Sequence, residues 1–296
     1  MDMIWKSAFG LLIITGSLLG LSLPFGKIAT AAGVEPVVWA FVISAGGGGA
    51  IMLGMLLRGH GFHFTRHKLR YFLVTAIITY AIPNLLLFSV MPHVGAGYAG
   101  IMYTLSPIMT LVFSILSGVR RPNSLGIAGI AIGFLGAIMV ATTRGQLGAP
   151  ASLFWVTVAL LIPVSLAAGN IYRTADWPEG TAPTELAVGS NLAAALVLLA
   201  GVLVSSGGAA FSPLAAMPLL VLAQIAASAA MFVFFFRLQV VGGPVYLSQI
   251  GYVAAAVGLL SGTLFLGERY GLLTWLGAAV ICIGVMVTTK AQARTE

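Results

Sequence analysis

Apolar runs of about twenty residues follow one another along the chain, separated by short stretches where glycine, proline and charge collect. As a helix, a run of that length spans the hydrocarbon core of a bilayer, and few other folds bury it. Only 7% of the 296 residues are charged, against about a quarter in a soluble domain, so most of the exterior must meet lipid. The punctuation predicts spans at Ser7 to Ala31, Pro36 to Leu57, Leu69 to Val90, Gly95 to Ser117, Ser124 to Thr142, Ser152 to Tyr172, Thr184 to Ser205, Pro213 to Leu238, Gly243 to Leu266 and Gly271 to Thr289. The expected fold is an all-α integral membrane protein of ten transmembrane helices, with short loops and no room for a soluble catalytic domain. Ala29 to Ala32 has the small residues of a cleavage site, but the run before it is too long for a signal-peptide core and is read as helix 1.

The net charge of +7 is read as loop chemistry rather than nucleic-acid binding. The N-terminus, the loops after helices 2, 4, 6 and 8 and the C-terminus hold Lys6, Arg58, Arg66, Lys68, Arg70, Arg120, Arg121, Arg173, Arg237, Lys290 and Arg294, whereas the opposite side holds only Lys27, Arg144 and Arg269. Basic residues collect on the cytoplasmic side, so both termini are expected there. His60, His63 and His67 have metal-like spacing, but the basic residues around them repel a cation and the loop suits anionic membrane lipid instead. No metal or other cofactor is expected. The lone Cys282 is read as packing.

A shift of 148 residues lays helices 3 to 5 on helices 8 to 10 without a gap. Gly95, Tyr98, Leu111, Arg121, Gly129 and Gly136 fall on Gly243, Tyr246, Leu259, Arg269, Gly277 and Gly284, and nine identities lie between Gly95 and Met139. Each half, 1–148 and 149–296, has five helices, an odd number, so the second enters the membrane from the opposite face. Two inverted five-helix repeats around a midplane site are the architecture of an alternating-access transporter.

Every acid lies at a terminus, in a loop or at a helix end: Asp2, Glu35, Asp176, Glu179, Glu185, Glu268 and Glu296. A buried carboxylate relay is therefore not expected, and the central cavity is expected to be neutral. Candidate substrate-binding residues are Tyr246, Gln249 and Tyr252 on helix 9, Tyr98, Met102 and Ser106 on helix 4, Tyr80 and Asn84 beside Pro83 on helix 3, Gln224 and Ser228 on helix 8, and Asn170 on helix 6. The competing assignment for each is interfacial anchoring or interhelical hydrogen bonding. Lys27 and Arg173, each near the end of the first helix of its half, are candidates for gating or for attracting an anion, against snorkelling to the headgroups. Trp39, Trp275 and Trp5 are read as interfacial.

The ten-span plan, Leu264-Phe265-Leu266-Gly267-Glu268-Arg269 closing helix 9, Leu276-Gly277 to Gly284-Val285 after it, and Lys27 following Pro24-Phe25-Gly26 with Pro36 opening helix 2 resemble the EamA-type branch of the drug/metabolite transporter superfamily. Arg120 departs from the pattern, standing where an acid would match Glu268. The resemblance implies a bacterial inner-membrane exporter of small metabolites, amino acids among them. The neutral aromatic cavity expected from the residues favours neutral or zwitterionic cargo. A multidrug or nucleobase exporter of the same fold is the alternative. A lipid-modifying enzyme is disfavoured because no HExxH pair, paired intramembrane Asp or Ser/His combination occurs within a span; a non-transporting subunit is the remaining alternative. A monomer suffices to enclose the path, and the oligomeric state stays open.

Overall fold

The computed structural model describes residues 5–62, 64–118, 124–143, 151–206 and 208–292. These residues form helices and connecting loops, with no strand among them. In chain order the helical segments are α1 (Ala8–Ala31), α2 (Pro36–Leu57), α3 (Arg66–Val94), α4 (Ala96–Met102, a 3-10 turn at Tyr103–Leu105, then Ser106–Leu116), α5 (Ser124–Thr142), α6 (Leu153–Ala175), α7 (Pro183–Ser205), α8 (Pro218–Ser248), α9 (Ile250–Leu266) and α10 (Leu272–Gln292). Six of them, α1, α2, α3, α6, α7 and α8, are long and apolar enough to cross a membrane; α4, α5, α9 and α10 contain shorter apolar helices.

Local chemistry explains the boundaries. Helix α3 starts at Arg66, earlier than the apolar pattern alone predicts, because Thr65 caps it by accepting from Lys68 N at 3.2 Å. Pro213, expected to open helix 8, lies in a 3-10 run at Gly208–Ala216, and α8 begins at Pro218, where a missing N–H costs nothing. At Gly243 the backbone of α8 breaks with φ 69° and ψ −178°, a conformation open to glycine and costly for a residue with a Cβ. Its counterpart at the 148-residue shift, Gly95, stands between α3 and α4 with φ 84° and ψ 157°.

Within α3 the residues Ala76–Ala81 form a π-helical turn. In that register the carbonyl of Ile78 looks toward position 83, a proline with no N–H, and Ser165 Oγ satisfies it instead at 2.7 Å. The bulge falls on Thr79 and Tyr80. A second π-helical turn, Val42–Gly46, precedes Gly47–Leu57 in α2. There Gly46 faces Ile225, Gly47 faces Phe232 and Ser228, and Gly48 faces Asn191, so the glycine run lets α2 approach α7 and α8 closely.

Helices α5 and α10 cross at their glycines. A Cβ on Gly136 would lie 2.6 Å from Gly277 O, and one on Gly284 would lie 2.6 Å from Gly129 O. Two tryptophan and cysteine placements differ from expectation. Trp39 is fully buried, not interfacial, because Gly26 leaves space against which its indole packs. Cys282 is exposed on the surface of α10, not packed between helices.

Candidate functional site: a cavity between a paired and an unpaired cation

A cavity of about 70 Å³ lies at the centre of the bundle, walled by residues of α1, α2, α3, α4, α6, α8 and α9. That is room for a few waters and far below the roughly 300 Å³ of the smaller ligand pockets. Its wall includes Tyr80, Asn84, Ser106, Asn170, Arg173 and Ser228, all candidates from the sequence. It also includes Ser22, Thr79, Tyr103, Phe232, Phe235 and Ser248, which the sequence does not single out. The Tyr80 ring meets Phe232 edge-on at 5.3 Å. Asn84 is half-buried.

The other candidates lie off this wall. Gln224 is fully buried behind it, donating from Nε2 to Ser22 Oγ at 3.1 Å and Ser228 Oγ at 2.8 Å, so it orients two hydroxyls of the wall. Tyr246 packs against Gly242, and Tyr252 packs against Gly133 of α5. Met102 and Gln249 are buried without lining the cavity. The side chain of Tyr98 lies outside the described residues.

The expectation of a neutral cavity fails at Arg173. Its guanidinium is fully buried and forms part of the wall. Nε donates to Gln239 Oε1 at 2.8 Å, Nη1 to Thr79 Oγ1 at 2.7 Å and Nη2 to Asn170 Oδ1 at 2.7 Å. Each acceptor is anchored in turn. Asn170 donates to Thr110, Gln239 donates to Thr174, and Gly169 provides the space for Thr79 that a Cβ there would take. The guanidinium carbon also sits 4.7 Å from the Phe235 ring centroid. Every one of these partners is neutral. Sequence reading gave Arg173 the choice of gate, anion attractor or snorkel; zero exposure removes the snorkel.

Lys27 presents the opposite arrangement. One turn beyond Leu23, which lines the cavity, it pairs with Glu268 from the loop between α9 and α10. Tyr270 Oη donates to the other carboxylate oxygen, and the first N–H of α4, Ala96 N, donates to Glu268 Oε1 at 2.9 Å. That N–H adds the favourable field of a helix N-terminus. Glu268 is 1% exposed, so an acid read as a loop residue is in fact enclosed. Burial pushes its carboxyl upward, but the hydrogen bonds from Lys27, Tyr270 and Ala96 outweigh it and hold the group below the usual carboxylate range. Gly95 makes room for the cluster: a Cβ there would sit 3.2 Å from Tyr270 Oη, and its positive φ already favours glycine.

At the other end of the bundle, Asp176 accepts from Arg70 at 2.7 Å and from Tyr172 at 2.7 Å and meets His67 at 3.0 Å, while Lys68 pairs with Glu185 at 2.7 Å. The basic run therefore spends part of its charge within the protein. His63 lies outside the described residues, and among those described no three His, Cys or acidic residues converge as a metal site.

The chain matches the EamA-like transporter family over residues 6–142. It is similar to the "Uncharacterized inner membrane transporter YedA" of Escherichia coli strain K12, with 29% identity covering 95% of this chain and 92% of that protein. The YedA proteins of strains O6:H1 and O157:H7 match equally. A solved crystal structure superposes with a TM-score of 0.69 over 97% of this chain and 98% of its own, at 20% identity, a likeness of fold. Two comparisons thus point the same way: residues 6–142 resemble the EamA-like transporters, and the chain as a whole is similar to proteins described as inner membrane transporters.

Proposed function

We propose that the chain carries small metabolites across the inner membrane by alternating access, with ten spans arranged as two inverted halves, 1–148 and 149–296, and both termini cytoplasmic. The observation that carries this reading is the cavity itself: both halves wall it, and an ion pair between the halves, Lys27 with Glu268, closes one end. Inverted pairing is favoured by the α5–α10 crossing. Gly129 meets Gly284 and Gly136 meets Gly277; since Gly277 and Gly284 are the 148-residue equivalents of Gly129 and Gly136, the contact is self-complementary in the manner of a two-fold interface. The like-strained glycines at 95 and 243 favour it too.

In this scheme the Lys27 end faces outward and is shut, and the walls must part before cargo of metabolite size fits the contracted cavity. The cargo class is small and amphipathic, amino acids with apolar side chains among them, moved outward. Its polar group meets Asn84, Ser106, Asn170 and Arg173, and its apolar part meets the rings of Phe232 and Phe235.

The test is counterflow in proteoliposomes preloaded with a pool of amino acids and small organic acids, using labelled members of the pool outside. Accelerated uptake that disappears when Asn84→Leu fills the cavity supports the reading. Absence of exchange for every member, with protein correctly inserted, overturns it for these cargo classes.

A further inference from the structure

We infer that the cargo of the central cavity bears a single carboxylate and that Arg173 is the residue that reads it, an assignment that rests on the transport reading of the cavity. A guanidinium held away from water needs hydrogen bonds to its N–H groups and a balance for its charge. Arg173 has the first in part and, among the described residues, lacks the second. Three of its five N–H groups donate to Gln239, Thr79 and Asn170, leaving one on Nη1 and one on Nη2. All three acceptors are neutral. The acid closest in sequence, Asp176, is engaged by Arg70, His67 and Tyr172; Glu185 is engaged by Lys68, and Glu268 by Lys27 at the far end of the cavity.

The residual donors and the unbalanced charge define the ligand. Two N–H groups on the two terminal nitrogens of one planar fork match the two oxygens of a carboxylate. Arg173 is the one charged residue among the described residues of the wall. A doubly charged phosphate would bring an anionic charge that nothing there offsets, and an ammonium would find no carboxylate. The rest of the wall is largely aliphatic and aromatic, with Leu23, Phe88, Phe232 and Phe235 facing the space. The cargo is thus a monocarboxylate with an apolar body, and an α-amino group adds no ionic contact.

The probes are matched pairs that differ only in charge: hexanoate with hexanamide, and 3-phenylpropanoate with 3-phenylpropanamide. Each is titrated at neutral pH into the purified full chain in a neutral maltoside detergent while the unfolding midpoint is read. Each carboxylate is expected to raise the midpoint at a concentration about tenfold lower than its amide, the advantage of a charge-assisted, bidentate contact. Arg173→Gln should abolish that preference, and Arg173→Lys, which keeps the charge but loses the fork, should reduce it. Equal effects of acid and amide, no effect of either pair, or a preference that survives Arg173→Gln overturns the assignment. If Arg173→Gln does not elute as a folded monodisperse species, the wild-type pairs and Arg173→Lys decide the matter. Carboxylate binding of this pattern without counterflow in proteoliposomes would defeat the transport reading and leave the Arg173 site standing. Counterflow indifferent to Arg173 would do the reverse.

Discussion

Lys27 stands in the last two turns of α1 and Arg173 in the last turn of α6, and both are cations drawn into an apolar bundle, but they are compensated in opposite ways. Lys27 meets a carboxylate that is itself held by a tyrosine and a helix N–H. Among the described residues, Arg173 donates only to a hydroxyl and two amides and rests against the Phe235 ring. A cation with its counter-charge in place is a clasp: it is stable only while the two elements stay together. A cation without one is a seat, because the favourable partner has yet to arrive. Thr79 and Ala96, which touch the two sites, are separated along the chain by roughly 25 Å of helical rise, so clasp and seat occupy different depths of the bundle.

The largest expected effect falls on the clasp. Lys27→Met leaves the Glu268 carboxylate buried without its counter-charge, and removing one partner of a buried pair costs about 3 kcal/mol, the low end of the usual range because Lys27 is 25% exposed. Chemical unfolding in detergent should show that loss. Combining it with Glu268→Gln should recover most of it, since two neutral partners leave no orphaned charge. A double variant as unstable as the single would show that the pair is not what joins α1 to the α9–α10 loop there. The same single variant should make Asn84→Cys, in a background with Cys282→Ala, react faster with a membrane-impermeant thiol reagent added from the Lys27 side.

Next in size is the packing that aims the seat. Gly169→Ala places a methyl group against Thr79, the hydroxyl that accepts from Arg173 Nη1. Overpacking of this kind costs about 1–3 kcal/mol. It should also weaken carboxylate binding, although the substituted residue touches no cargo; unaltered binding would mean that Thr79 does not orient the guanidinium.

The contrast between the two cations sharpens with a third variant. Arg173→Met removes an uncompensated buried charge but leaves the Gln239, Thr79 and Asn170 acceptors without that donor, so the two effects offset and stability should change by no more than about 1 kcal/mol. Lys27→Met, the same chemical change at the clasp, falls. A large stability loss at Arg173 would identify it as a structural tie and remove the reason to regard it as a seat.

These sites differ in how far they can be read from sequence. Pro83 and Gly243 announce their own breaks, because a missing N–H and a positive φ are local matters. The spacing of Gly129 and Gly136 likewise announces a close crossing, which α10 supplies. Periodicity also establishes that Tyr246, Gln249 and Tyr252 lie near one another after the break at Gly243, yet it cannot say which face of that stretch meets the cavity, and the wall is built from Leu247, Ser248, Ile250 and Gly251 at the junction of α8 and α9 instead. The enclosure of Glu268 depends on α1 and α4 arriving beside a loop that reads as exposed. The Arg173 network joins residues as far apart as Thr79 and Gln239, three polar side chains on three different helices, with no motif to link them. Contacts made within one turn are written in the sequence; contacts made across the bundle are consequences of packing.

The smallest expected effect is that of pH near neutrality, and its smallness is informative. The Glu268 carboxyl is held below its ordinary range in the folded protein, so its contribution to stability is fully present above the unfolded value near 4.3 and is lost as pH falls through the lower folded value. Between about pH 6 and 8 the Glu268 carboxylate therefore stays ionised, and neither stability nor Asn84→Cys labelling from the Lys27 side should change through it. In more acidic solution, stability of the wild type should decline toward that of Glu268→Gln, whose own profile lacks this component. A wild-type labelling rate that rises tenfold from pH 8 to pH 6, and that Glu268→Gln abolishes, would make Glu268 a proton-operated gate. On the proposed alternating-access reading, a flat rate leaves opening of the clasp to cargo, with the charge at Arg173 as the feature through which cargo bears on it.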